Sequence, residues 1–383
     1  MIDYRVFLTY ELLVIALPLL IILLYYILFT IVVLVRSSPP VKRENDLDVS
    51  FIVPTYNEES YIRQKIGALR ELKPNDQIIV VDSGSTDATP SILDEYARKG
   101  YIDFIKEDTR KGKATALNKA FLETKGRVVI ITDADAFLPP DSVSKLLENF
   151  ADEQVGGVGG ALIEVKNKDL DKIDVTSTSF LKARETFRIL EGNLDSVPFT
   201  EGSLVAFRQE LLSPLPIDTI SDDMELVLLV REKGYRVVFE PKALVLGVVP
   251  TRYLARLKRK IRHQIGSIQA IVRHKKMMFN TKYGYFGTFI MPFHAFRLLI
   301  QPYLVFSSLI LGLIFFPELI NVLYSIPLYL YGVLFVAYIL MESLTILVKR
   351  YSLLLAVFHL IILQGVTVIA HILYYKKQKY IAW

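Results

Sequence analysis

Two carboxylates one residue apart, Asp133 and Asp135, close an apolar run in V-V-I-I-T-D-A-D-A-F (128–137). Four mostly β-branched residues in a row predict a fully buried strand. Acidic side chains at the carboxyl end of such a strand stand where open α/β sheets place their ligands. Hard oxygen donors of this kind suit Mg2+ or Mn2+ bound partly through a substrate's phosphates. The plainer alternative is an Asp-rich turn with a helix cap. Asp82 ends a second apolar run and precedes Gly84, a residue able to turn sharply near a ligand. If Asp82 and Asp133 end adjacent parallel strands, both face one crevice, and Asp82 could accept hydrogen bonds from a base or ribose. A turn and cap is its alternative. Lys113, after Arg110-Lys111-Gly112, opens a helix, where backbone N–H groups and the dipole favour phosphate. Taken alone it belongs to a solvated charge run. Asp222 and Asp223 also head a helix and by themselves read as cap and dipole charges.

The elements that must hold these groups alternate. Residues 48–54 predict a strand, followed by a helix to about 72 and a second strand at 77–81. Thr86 or Asp87 can cap the next helix, to about 98; a short strand (101–106) and a helix (114–124) lead into the Asp133 strand. Such βαβ units predict an α/β fold with a mainly parallel, doubly wound sheet. The strands do not alternate with polar residues, as expected of a sheet covered on both faces. Beyond residue 150, strands are expected at 155–165, 203–208 and 235–240, and helices at 170–190 and 223–233.

The chain has 383 residues, 52% of them hydrophobic, and a mean hydropathy of +0.36. The apolar excess lies at the ends. Residues 12–35 are uncharged and long enough to cross a bilayer, and 298–316, 322–341 and 351–375 also lack Asp, Glu, Lys and Arg. The first stretch is too long for a signal peptide, and its basic residues (Arg36, Lys42, Arg43) follow it, so it reads as a retained anchor. The positive-inside rule then puts residue 42 onward in the cytoplasm of a multi-pass cell-membrane protein. Four spans would leave the C-terminus outside, whereas Lys376-Lys377-Gln378-Lys379 favours inside, so 351–375 reads as re-entrant or 283–296 as interfacial. A basic amphipathic segment from about 251 to 276 fits anionic membrane lipids; no reader motif accompanies it, which argues against nucleic acid. Without cysteine there are no disulfides and no thiolate sites, and the five histidines lack zinc-ligand spacing.

P-T-Y-N-E-E (54–59), V-V-D-S-G-S-T-D (80–87), K-G-K-A-T-A-L-N-K-A (111–120) and D-A-D (133–135) come in the order and spacing of the family 2 glycosyltransferases, which the chain resembles. T-E-G-S (200–203), I-S-D-D-M-E-L (220–226) and R-K-I-R-H (259–263) extend the resemblance toward the cellulose, chitin and hyaluronan synthases. It covers roughly residues 48 to 270. It implies a GT-A nucleotide-sugar domain (48–248) between an anchor and linker (1–47), basic interface helices (249–296) and transmembrane helices (297–383). It also implies an inverting, metal-dependent transfer from a UDP- or GDP-sugar to a lipid-linked or glycan acceptor.

By motif position, Pro54, Tyr56, Glu58, Asp82, Lys113, Asp133 and Arg262 would bind the nucleotide sugar, and Asp135 with Asp133 the Mg2+ or Mn2+. Asp223 would be the general base; Glu201, Gly202, Asp222 and His263 would face the acceptor. Two departures bear on mechanism. Arg259 and His263 stand where the synthases have the Gln and Trp of Q-x-x-R-W, and imidazole offers a smaller stacking face, which argues against processive extrusion. Ser221 stands where those synthases have the Glu of T-E-D. The alternatives are a processive synthase or a non-catalytic assembly protein, and the intact acidic motifs oppose the latter.

Overall fold

The computed structural model describes residues 4–36, 38–73, 75–165, 179–248, 253–314 and 353–376. In chain order it comprises α1 (Tyr4–Val35), β1 (Val49–Thr55), α2 (Ile62–Leu72), β2 (Gln77–Ser83), α3 (Thr89–Arg98), β3 (Asp103–Glu107), α4 (Lys113–Glu123), β4 (Val128–Ile131), β5 (Ala136–Phe137), α5 (Ser142–Glu148) and β6 (Val155–Val165). There follow α6 (Ser179–Leu194), β7 (Val205–Arg208), α7 (Asp222–Glu232), β8 (Arg236–Val248), α8 (Tyr253–Arg273), α9 (Met291–Leu299), α10 (Gln301–Ile314) and α11 (Leu353–Tyr375).

All eight strands join one sheet in the order β3-β2-β1-β4-β7-β6-β8-β5. β3, β2, β1 and β4 run parallel, β7 is antiparallel to both neighbours, β6 and β8 are parallel, and β5 closes the edge antiparallel. Every residue of β1 is buried, so its side chains feed two cores in turn. Phe51 and Val53 pack with Ile62, Ile66 and Leu69 of α2 and Leu93 of α3. Ile52 packs on the other face with Leu117 of α4 and Val227 of α7. The chain thus forms the expected α/β layers, with a sheet more mixed than the apolar runs suggest.

One expectation is corrected. Asp82 and Asp133 do not end adjacent strands, because β1 lies between β2 and β4. β4 follows β3 in sequence but docks on the far side of β1. That reversal opens a crevice at the carboxyl ends of β1 and β4, the usual ligand position in such sheets.

Outside the sheet, α1 packs along the domain through Ile22, Tyr26, Phe29 and Val33, with the Phe29 ring stacked on Phe293 of α9 at 3.7 Å. Ala16–Val35 is, among the described residues, the one unbroken helical stretch long and apolar enough to cross a membrane. Within the expected span at 298–316, Gln301–Ile314 is one helix that meets the helix before Ile300 at 42°, and 315–316 lie outside the described residues. The segment 322–341 lies outside the described residues, as does 166–178, the first part of the helix expected at 170–190. Basic α8 forms as expected and rests on α11 through Ile265, Ile268 and Ala370.

Candidate active site

Four elements converge on the end of β4. Lys113, the first residue of α4, places Nζ 2.9 Å from Asp133 Oδ1 and 3.1 Å from Asp222 Oδ2. Ser203 Oγ donates to the other Asp133 oxygen at 3.0 Å, so both oxygens of that carboxylate are engaged. Burial alone would raise the Asp133 pKa, but Lys113 and the Ser203 hydrogen bond outweigh it and hold the group below the usual carboxylate range. The same two carboxylates hold Lys113 above its ordinary value despite burial.

Asp222 and Asp223 occupy the first turn of α7, where the helix dipole favours negative charge, and Ser221 is the residue preceding the helix. Ser221 Oγ lies 2.5 Å from Asp223 Oδ1. Burial first, then Asp222, push Asp223 up to about 6, with Ser221 and Lys113 pulling the other way. Gly202 lies between these groups. A Cβ built there would meet Asp223 Cβ at 3.7 Å and Lys113 Nζ at 3.8 Å, in the room a side chain would fill. Glu201, beside it, pairs with Arg188 of α6 at 2.7 Å, and the Arg188 guanidinium stands over Phe199 and Phe239.

The fourth wall is α8. Close packing sets its distance, since a Cβ on Gly266 would come within 2.7 Å of Ser221 Cβ. Arg262 is lowered by burial and by Arg259, against the opposing pull of Asp222, Asp133 and Asp223. His263 reaches solvent at the rim of the cleft, yet protein crowds its ring on most sides. That desolvation, then Arg262 and Arg259, push it down to about 4, so it is neutral at physiological pH. Farther along, buried His274 bridges Glu232 (2.8 Å) and Glu225 (3.0 Å) of α7, and Arg273 also binds Glu225.

Acidic charge on the opposite rim is less compensated. Burial and then Asp133 raise Asp135, while burial followed by Asp135, Asp133 and Asp87 pushes Glu58 up to about 7. Among the described residues, no three His, Cys, Asp or Glu side chains converge into a ligand cage. The residues nevertheless fit a Mg2+ or Mn2+ ion of the substrate-bridged kind. Such a site needs one or two carboxylates plus phosphate oxygens, and its charge would relieve the carboxylate repulsion recorded at Asp135 and Glu58.

Pro54 and Tyr56 lie at and just beyond the carboxyl end of β1, and the Arg110 guanidinium covers the Tyr56 ring at 3.9 Å. Asp82 is fully buried and accepts hydrogen bonds from the Ser85 backbone N–H (3.2 Å) and hydroxyl, holding the loop that carries Gly84. Gly84 has φ +71° and packs on the Thr109–Arg110 backbone, where a Cβ would stand 3.1 Å away. The structure therefore gathers Lys113, Asp133, Gly202, Asp222 and Asp223 into one cluster, with Arg262 and His263 on the α8 wall. Asp82 and Tyr56 stand one strand or more to the side. Ser203, Arg188 and Lys65 were not anticipated. Of these, Lys65 had a visible signal: it falls on the apolar Ile62, Ile66, Leu69 stripe of α2.

Residues 50–215 match the family described as glycosyl transferase family 2. This stretch is a glycosyltransferase domain. Among curated relatives, an N-acetylglucosaminyltransferase of Azorhizobium caulinodans is 27% identical over 231 residues, 56% of this chain and 58% of the relative. A poly-beta-1,6-N-acetyl-D-glucosamine synthase of Staphylococcus epidermidis is 25% identical over 232 residues, covering 59% of this chain and 56% of that one. The chain thus spans little more than half the length of these relatives. A mannosyltransferase from Pyrobaculum calidifontis, solved with GDP-Man and Mn2+, superposes over 97% of this chain and 99% of its own with a TM-score of 0.71 and 24% identity. That likeness extends the shared fold of the glycosyltransferase domain to the flanking helices.

Proposed function

We propose that the protein transfers a hexose from a UDP- or GDP-sugar to a lipid-linked or glycan acceptor beside a membrane, with inversion at the anomeric carbon. The observation that carries this reading is the cluster of Lys113, Asp133, Asp222 and Asp223 around Gly202, at the mouth of the β1–β4 crevice. Pro54, Tyr56 and Asp82 take the nucleoside side. Lys113 and Arg262 face the diphosphate, and Arg262 adds a half-buried positive charge where negative charge grows as the leaving group departs. Asp135, with Asp133 beside it, would hold Mg2+ or Mn2+, which offsets the charge of the leaving diphosphate. Glu58 lies close to both carboxylates and helps form that acidic rim.

Asp223 takes the proton from the acceptor hydroxyl as that oxygen bonds to the anomeric carbon and the bond to the diphosphate breaks. A carboxylate raised to about 6 is a stronger base than an ordinary one and remains ionised at neutral pH. Attack from the face opposite the leaving group inverts the centre. Gly202 leaves room for the acceptor next to the base, Asp222 keeps Lys113 in place, and Glu201 and His263 line the acceptor side. Membrane attachment rests on Ala16–Val35 and on the basic residues of α8, which suit anionic lipid headgroups.

The full chain, incubated with radiolabelled nucleotide sugars, Mn2+ and either polyisoprenyl phosphate or an oligosaccharide, tests the proposal. Chloroform-extractable label identifies a lipid acceptor. Long ethanol-insoluble product identifies the second reading, a processive synthase, which the names of the staphylococcal relatives favour and His263 disfavours. Full turnover by both Asp135→Asn and Asp223→Asn would refute the site.

A further inference from the structure

We infer that Lys65, on α2 beneath the sheet end, is a positioning residue that pins the Asp133–Asp135 turn from below. The inference rests on the glycosyltransferase reading of this crevice. Lys65 is only 1% exposed, and its neighbours on the helix face are Ile62, Ile66 and Leu69. A lysine is rarely so buried without partners, and a leucine would serve this apolar stripe for packing alone. Its partners explain it. Nζ donates to Thr132 Oγ1 at 2.7 Å and to the Ala136 carbonyl oxygen. Thr132 immediately precedes Asp133 and Ala136 immediately follows Asp135, so one side-chain nitrogen holds both shoulders of the acidic turn.

Lys113 and Ser203 hold the Asp133 side chain from the cleft side, and the backbone adds two further bonds. Thr132 N donates to Ile52 O on β1 at 3.0 Å, and Ala136 N to Asp133 O at 3.2 Å. These set the turn's start and its width. Lys65 ties it to a helix outside the strand pair, against the mutual repulsion of two neighbouring carboxylates. Removing the Lys65 nitrogen leaves a buried hydroxyl and a carbonyl without this donor and lets the two aspartates spread. Loss of such an outer partner typically weakens a metal site by about 10- to 100-fold.

The test uses the full chain with Lys65→Met, which keeps the length and apolar packing of the stem, and Thr132→Val and Thr132→Ser, which remove and keep one acceptor. Mn2+ binding in the presence of UDP or GDP is read from the electron paramagnetic resonance of free Mn2+, against the same nucleotide without protein, alongside thermal unfolding and separate KM values for donor and acceptor. Folded Lys65→Met is expected to bind Mn2+ about tenfold or more weakly and to lose donor-side efficiency, with the acceptor KM unchanged. Thr132→Val should move the same way by less, and Thr132→Ser should restore binding. A merely structural lysine would lower the unfolding temperature without this donor-side selectivity. Wild-type Mn2+ affinity and donor KM in folded Lys65→Met would overturn the inference. If Lys65→Met does not fold, equal values for Thr132→Val and Thr132→Ser overturn it. Asp135→Asn separates the two claims: if it binds Mn2+ like wild type, the metal reading fails and Lys65 is judged on donor KM alone.

Discussion

Lys113 and Asp222 should move the acid limb of the pH–rate profile in opposite directions. The proposed base, Asp223, has a pKa of about 6, so kcat/KM should fall roughly tenfold per pH unit below it. Asp222 raises that value and Lys113 lowers it. Asp222→Asn removes the like charge and also releases Lys113 from a 3.1 Å ion pair, so the limb moves to lower pH. Lys113→Met removes the opposing cation, so the limb moves above about 6. At close to 3 Å and an effective dielectric constant of about 20, each Lys113 ion pair has a gross Coulomb energy of ~5 kcal/mol. A one-unit shift needs only about 1.4 kcal/mol of the longer-range share felt at Asp223. Lys113→Met also strands two partly buried carboxylates, at a stability cost of about 3–5 kcal/mol. Initial rates at subsaturating donor from about pH 5 to about pH 9, with unfolding temperatures measured alongside, decide the matter. Shifts of both variants in the same direction, or a wild-type limb that Asp223→Glu does not move, would refute Asp223 as the base.

Other expectations follow from the same geometry. Gly202→Ala finds contacts no closer than 3.7 Å, so it should fold normally while transfer falls at least tenfold with a raised acceptor KM; an unchanged KM refutes the assigned space. Gly266→Ala forces a Cβ to 2.7 Å from Ser221, which should cost about 1–3 kcal/mol in chemical denaturation and lower kcat by moving α8 against Asp223. Glu58 is held near 7, so Mn2+ binding should release protons and tighten as pH rises through that value; calorimetry in two buffers should show Glu58→Gln flattening the dependence. At His274, burial opposes the charged ring, but bonds to Glu225 and Glu232 outweigh it and raise the pKa. Its stabilisation is therefore complete below about 6.5 and lost as pH rises through the higher folded value; His274→Gln should remove that slope from unfolding measured against pH.

The sequence by itself determined the local elements and which residues are equipped to do chemistry. The largely apolar, β-branched-rich runs at 49–53 and 128–131 read as buried strands, and each element up to β4 lies within a few residues of its expected place. The acidic motifs were legible because their residue types are costly anywhere but in a turn, at a helix start or beside a counter-charge. What the sequence could not give was the order of strands across the sheet. An apolar run says that a strand is buried on both faces but not which strand is its neighbour, so β1 between Asp82 and Asp133 had to come from the fold. The long-range partners were hidden for the same reason. Ser203 on Asp133, Arg188 on Glu201, Lys65 under the acidic turn and Gly266 against Ser221 lie 13 to 71 residues from their partners in sequence. A buried polar group must find a partner somewhere, and where it finds one is decided when the layers close.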